Sequence, residues 1–218
     1  MIDRFDEGLL TSTETSQYLQ IPRFTLDTWL RRQAAGAPLV HHIVSVRRGQ
    51  PSVPFVAVAE AYVLRSLRDL GLRMTEIREA AAALRRAFDT PYGLVSKRIA
   101  TDGVDIFIDH SLGDLRRARD GQATIQEAVA DYLRYLSWDA GDEFPSSLRL
   151  RQYPESVPVV IDPRFGHGLP VVEANRVPVK AVADLWDAGE SIEDIVYEYD
   201  MTAEEVEELC RAVVRLAA

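Results

Sequence analysis

The 218-residue chain is poor in the residues that carry most site chemistry. Its single cysteine, Cys210, cannot form an internal disulfide, and with four scattered histidines it spells out no zinc-type ligand set. No stretch approaches the ~18 consecutive apolar residues of a membrane span, and the N-terminus MIDRFDEGLLTSTETSQYL lacks an apolar run of signal-peptide length. A soluble cytoplasmic protein is expected. Gln/Ser and Pro-Gly tracts are missing too, so 47% hydrophobic and 27% charged residues should fold nearly throughout, as two or three compact units. There is no glycine-rich phosphate loop, no Ser-His-Asp order, no metal-binding His pair and no CxxC. FGHG, residues 165–168, is too short for a nucleotide fingerprint, and His167 reads as a turn residue. No catalytic residue, metal or cofactor is expected, and the chain reads as a non-enzyme.

Positive charge is scarce overall: 25 basic against 34 acidic residues leave a net charge of -9. Phosphate contacts need Lys and Arg, so the distribution decides more than the sum. Residues 1–50 hold six Arg against five acids, residues 51–138 balance twelve against twelve, and residues 139–218 hold seven basic against seventeen acidic. The acidity is C-terminal. It fits an end that faces something basic, and equally an acidic solvated surface.

What is present begins at residues 11–32. Ser12 or Thr13 can cap a short helix whose apolar face is closed by Tyr18, Leu19 and Ile21, and Pro22 then breaks the chain. Phe24, Leu26, Trp29 and Leu30 fall near helical spacing, which leaves Arg23, Thr25, Thr28, Arg31 and Arg32 to face outward. Two short helices at a tight turn form a helix-turn-helix pattern, in which the second helix enters the major groove. Next come two β-branched runs, Ile43–Val46 and Val53–Val56, around a turn with Arg47, Arg48, Gly49, Gln50 and Pro51. This predicts a hairpin whose basic tip meets phosphates or the minor groove, although a solvated turn accounts for the same two arginines.

Residues 57–88 predict two helices, interrupted at Gly71, with a capping signature at Thr75. TSTETSQYLQIPRFTLDTWLRR, the basic hairpin and LRSLRDLGLRMTEIREAAAALR together resemble the DNA-binding domain of MerR-type regulators over about residues 9–90. That family runs helix-turn-helix, wing, then a second helix pair. Arg31 and Arg32 stand where the family has an aromatic and basic pair, no long dimerising coiled coil follows Phe88, and no cysteines for metal sensing are present. The resemblance therefore implies a relative rather than a standard member.

In the middle, SKRIATDG and VDIFIDH read as a strand pair around Asp102-Gly103, followed by an amphipathic helix from about Ile125 to Leu136. Phe107, Asp109 and His110 read as surface groups on a short strand. The stretch SWDAGDEFPSSLRLRQYPESVP is turn-rich, a connection or a sheet edge.

The last segment has the clearest pattern. A strand (Val157–Asp162), a glycine turn and a second strand (Leu169–Glu173) precede three helices, the second and third opened by capping boxes, Ser191 with Asp194 and Thr202 with Glu205. Apolar stripes run through Ala181, Val182, Leu185 and Trp186, through Ile192, Ile195 and Val196, and through Val206, Leu209, Val213 and Leu216. Asp162-Pro163, Gly168–Val172, Arg176–Val179, Gly189–Ile192 and Tyr199–Val206 resemble recurring phrases of a domain found at the C-terminus of some VapB-type antitoxins. The likeness departs at residues 173–175, where that family has Gly-Thr, and at Asp200-Met201.

The two resemblances together imply a type II antitoxin. It would have a MerR-like winged helix-turn-helix at 1–90, a small mixed unit at 91–156 and a C-terminal three-helix domain with a short hairpin at 157–218. The class is α+β, mainly α. The implied partners are operator DNA and a PIN-domain ribonuclease toxin, neutralised by direct binding, with repression of the chain's own operon. Trp186, Tyr197, Tyr199 and the last helix are the candidate toxin face, with Arg211 or Arg215 as a plug among the toxin's carboxylates. Trp186 and the stripes serve equally as the small domain's core. One recognition helix reads only a few base pairs, so a homodimer is expected. The competing reading is a stand-alone MerR-like regulator whose middle region binds a small ligand.

Overall fold

The structure is a computed structural model that describes residues 2–31, 38–44, 47, 49–100 and 129–217. Backbone packing divides the chain at 146/147, where the sequence suggested three units with limits at 90 and 156. One unit runs from Asp3 to Ser146, the other from Ser147 to Ala218 together with the first two residues. The described residues of 91–146 belong to the first unit.

In the first unit, α1 (Ser12–Tyr18) opens one residue earlier than Ser12 or Thr13 would allow as caps. The cap is Thr11, whose hydroxyl accepts from Glu14 N while the Glu14 carboxylate accepts from Thr11 N at 2.8 Å. Helix α2 (Arg23–Leu30) follows Pro22, whose missing N–H costs nothing at a helix start. Leu26, Trp29 and Leu30 bury its inner side.

The expected wing is half present. Ile43 N donates to the Ser52 carbonyl at 2.9 Å, and Arg47 and Gln50 close the turn through Gln50 N to Arg47 O at 3.3 Å. The return leg stops at Val53, which bridges to Leu10 rather than continuing to Val56. The reason is Pro54: it caps α3 (Phe55–Asp69), and the unbroken run Phe55–Leu64 is the buried body of a helix. Helix α4 (Met74–Phe88) is capped at Arg73, not Thr75, because the Glu76 carboxylate accepts from Arg73 N at 2.8 Å. Asp89 ends it in the left-handed conformation.

Ser96–Ala100, expected in a strand, instead contains a 3₁₀ turn, Lys97–Ala100. The rest of the expected strand pair, with Phe107, Asp109 and His110, lies outside the described residues. Of the helix expected from Ile125 to Leu136, residues 129–133 are helical, and Leu136 already begins the two-residue strand β1 (Leu136–Ser137).

An aromatic cluster closes this unit. Tyr92 packs 5.1 Å from Phe5, 5.8 Å from Phe144 and 4.6 Å from His41. Beside it, Arg4 donates to Asp142 Oδ2 at 2.6 Å and to the carbonyls of Phe144 and Pro145 at 3.2 Å.

The second unit pairs β2 (Ser147–Arg149), β3 (Val159–Ile161) and β4 (Val171–Val172) in an antiparallel meander, with Leu148 opposite Ile161 and Val159 opposite Val172. The two expected strands are present but shorter. Between β3 and β4 the chain reverses through Gly166–Gly168, with His167 at φ 52°. Three helices follow: α5 (Val179–Asp187), α6 (Ile192–Tyr199) and α7 (Ala203–Ala217). Of the two predicted capping boxes, Thr202 forms the full one, its Oγ1 accepting from Glu205 N at 3.2 Å while the Glu205 carboxylate accepts from Thr202 N at 2.7 Å, whereas Ser191 forms half, its Oγ accepting from Asp194 N at 3.1 Å and donating to the Asp194 carboxylate. Val182, Ile195, Val206, Leu209 and Cys210 make the core between them. Burial, then the nearby Asp187 carboxylate, pushes the Cys210 thiol up, so the one cysteine packs rather than reacts.

Burial raises the Asp142 carboxyl, but the N–H groups of Phe144 and Glu143 and the Arg4 guanidinium outweigh it and hold the group below the usual range. A lowered carboxyl contributes stability above its unfolded value and loses it as pH falls. Asp142→Asn should therefore cost about 1 kcal/mol at pH 7 in urea titrations, with the difference from wild type closing as pH falls through and below the ordinary carboxylate range.

Candidate nucleic-acid interface and partner-binding face

At 3.6 residues per turn, Leu26, Trp29 and Leu30 of α2 share the inner side, and Phe24, Thr28 and Arg31 line up on the opposite one at i, i+4 and i+7. Phe24, expected among the inward apolar residues, is 81% exposed at the N-terminal end of the outward line. The helical period overrides its hydrophobicity. Arg23 is exposed, donates to the Thr13 hydroxyl and lies 3.7 Å from Asp27. Thr25 and Thr28 are half-buried, and Thr28 Oγ1 donates to the Phe24 carbonyl at 2.8 Å. Arg31 is exposed just past the helix end, and Arg47 is exposed at the turn of the wing. Arg32 and Arg48 lie outside the described residues. The fold thus places Arg23, Thr25, Thr28 and Arg31 on one short helix and its exit.

The wing is held at its base by a group that pattern reading missed. Glu60 lies on α3 with no exposed surface. Its Oε2 accepts from His41 N at 2.9 Å and lies 2.8 Å from His41 Nδ1, and its Oε1 is 3.6 Å from Arg85 Nη2. Arg85, on α4, also donates to the carbonyls of Pro38 and Leu39 at 3.1 and 3.0 Å. One carboxylate and one guanidinium thereby fasten residues 38–41, which lead into the wing, to both long helices. The signal was in the sequence: a lone acid in the apolar run PFVAVAEAYVL.

In the second unit, Pro154, Trp186, Glu208, Arg211, Val214 and Arg215 line a groove of about 540 Å³. Three of the five residues expected on the toxin face meet here. Trp186 stays 38% exposed at the rim instead of closing the core. Arg211 pairs with Glu207 at 2.6 Å, and Arg215 Nε donates to the Arg211 carbonyl at 3.3 Å. Tyr197 and Tyr199 are not among the lining residues. Tyr197 projects from α6 at 90% exposure, whereas Tyr199 is half-buried and its carbonyl accepts from Asn175 Nδ2 at 3.0 Å. Arg176, in the step where the sequence departs from the family phrase, takes φ 63° and lays its guanidinium 4.8 Å from the Phe165 ring.

Among the described residues no group of three or more His, Cys, Asp or Glu is placed to hold a metal ion, and no helix is long and apolar enough to cross a membrane. Residues 8–81 match a family described as "Putative DNA-binding HTH domain", and residues 159–211 match a family described as "Protein of unknown function (DUF433)". Over 96% of its length the chain is 33% identical to "Putative antitoxin VapB45" of Mycobacterium tuberculosis H37Rv, covering 95% of that protein. The chain belongs to the VapB antitoxin family. The crystal structure of Rv2018 from Mycobacterium tuberculosis superimposes with a TM-score of 0.79 at 30% identity, covering 95% of this chain and 99% of that one. The first matched stretch spans both helices of the helix-turn-helix, the wing, His41 and Glu60 but stops short of Arg85; the second holds β3, β4 and the helices up to Arg211.

Glu60→Ala leaves Arg85, whose side chain is 17% exposed, without its carboxylate, so stability should fall by about 3 kcal/mol or more. Denaturant unfolding checks this: a loss under about 1 kcal/mol shows that the clamp does not hold the unit.

Proposed function

We propose that this chain is the antitoxin of a type II toxin–antitoxin pair, binding and silencing a PIN-domain ribonuclease and repressing its own operon. The observation that carries the reading is the relationship to an antitoxin along nearly the whole chain, which includes the helix-turn-helix stretch. The roles divide between the units. Arg23, Thr25, Thr28, Arg31, Arg32, Arg47 and Arg48 meet operator DNA, the helix residues in the major groove and the wing arginines on phosphates. Trp186, Tyr197, Tyr199, Arg211 and Arg215 face the toxin. Aromatic and Arg side chains are favoured interface anchors, and the groove offers both beside exposed Val214.

Of the two candidate plugs, Arg215 is the better placed. Arg211 must first give up its 2.6 Å bond to Glu207, while Arg215 gives up only a longer bond to a carbonyl of its own helix. A guanidinium set among the catalytic carboxylates of a magnesium-dependent ribonuclease competes with the metal for them. The chain itself acts by binding, without catalysis. A homodimer supplies the second recognition helix that a near-palindromic operator requires.

The test is co-expression of the tagged chain with the gene beside it, followed by size-exclusion chromatography and a nuclease assay. Co-elution of a small nuclease that is silent until the chain is removed supports the reading; a chain that elutes alone yet shifts its own promoter is a stand-alone regulator. Arg215→Glu should lose inhibition by about tenfold or more and Arg211→Glu by less. Retained inhibition in the double variant removes the plug. Sedimentation of the free chain should show a dimer, and a monomer binding its operator at full affinity contradicts that assembly.

A further inference from the structure

The exposure of Phe24 carries the operator-binding reading one step further. A Phe ring at 81% exposure leaves in water an apolar area whose burial is worth about 1.5–3 kcal/mol. Single apolar side chains on a surface are ordinary, so position decides whether this one matters. Seven large hydrophobic side chains are exposed among the described residues. Two of them, Phe24 and Val44 at 89%, stand on α2 and on the first leg of the wing, the two elements that a winged helix-turn-helix turns toward the duplex.

The polar groups around Phe24 are engaged with one another. The Arg23 guanidinium reaches the Thr13 hydroxyl and Asp27, and the Thr28 hydroxyl donates to the Phe24 carbonyl. The most prominent feature left on the outward line is an aromatic ring. In the major groove the apolar feature of a base-pair edge is the thymine 5-methyl group. Arg23 and Arg31 at the two ends of α2, with Arg47 at the wing turn, supply the positive charge that the flanking phosphates require.

We propose that Phe24 is a specificity-determining residue, its ring packing on thymine 5-methyl groups in the operator. The inference rests on the DNA-binding reading above, and its test separates the two.

Binding of the full-length chain and its Phe24→Ala variant is measured on the DNA upstream of its own gene. The same DNA is then made with deoxyuridine replacing thymine in the protected segment, which removes only the methyl groups. Wild type should lose about fourfold in affinity per contacted methyl, the worth of one buried carbon. Phe24→Ala should bind the thymine DNA more weakly and lose less than about twofold on the exchange, because the partner of the methyl is already gone. Equal penalties in both proteins, or no penalty in wild type, overturn the assignment of Phe24 while leaving DNA binding intact. No shift of the promoter at low salt overturns the DNA reading and this inference together. Phe24→Ala should keep the wild-type melting temperature and oligomeric state; a variant that falls apart into monomers shows the ring to be a contact between copies and sinks the proposal.

Discussion

Glu60 has no exposed surface, and a carboxyl group so placed costs several kcal/mol unless hydrogen bonds and counter-charge meet it. His41 meets it with backbone N–H and ring, and Arg85 stands 3.6 Å away while its other donors hold the Pro38 and Leu39 carbonyls. The first unit is arranged around this demand. Two long helices and the segment entering the wing must come together at one point, because none of the three groups is satisfied alone. The Tyr92 ring packs at a tilt against His41 and joins the clamp to the aromatic cluster of Phe5 and Phe144. The return leg of the wing is secured separately, by the exchange of hydrogen bonds between Leu10 and Val53. A short hairpin has little stability of its own, so these anchors set where Arg47 stands.

The second unit solves a smaller problem by other means. Its strands are two or three residues long, and its helices, the last two opened by the local caps Ser191 and Thr202, close on Val182, Ile195, Val206 and Leu209. Nearly all charge stays at the surface, where Lys180 with Asp184 and Arg211 with Glu207 form i,i+4 pairs worth little to stability. That frees the outer face for recognition. Trp186 and Val214 remain accessible beside two arginines in a segment whose overall charge is strongly acidic, so the groove differs in chemistry from the surface around it.

Legibility in the sequence followed the range of the interactions. Ser191, Thr202, their acidic partners and the apolar stripes act within one helical turn, and both N-cap residues were readable before any fold was known. The cap at Thr11 was missed by one residue because Ser12, Thr13 and Thr11 offer the same hydroxyl, and only the reach of Glu14 selects among them. The run Val53–Val56 read as a strand because β-branched residues and Pro fit both a hairpin leg and a helix start; the unbroken burial from Phe55 to Leu64 tips it to helix. Phe24 was misread for a related reason, since hydrophobicity was weighed ahead of phase.

By itself the sequence determined the order of elements, the helix-turn-helix, the C-terminal three helices with their starts, and the family to which the chain belongs, because local capping, periodicity and recurring phrases need no long-range contact. Tertiary structure alone decided that Glu60, His41 and Arg85 meet, and that Trp186, Arg211 and Arg215 border one groove without Tyr197. The physical reason is distance along the chain: these depend on how helices dock, and docking is set by burial and by unsatisfied charge summed over the unit rather than by any neighbouring residue.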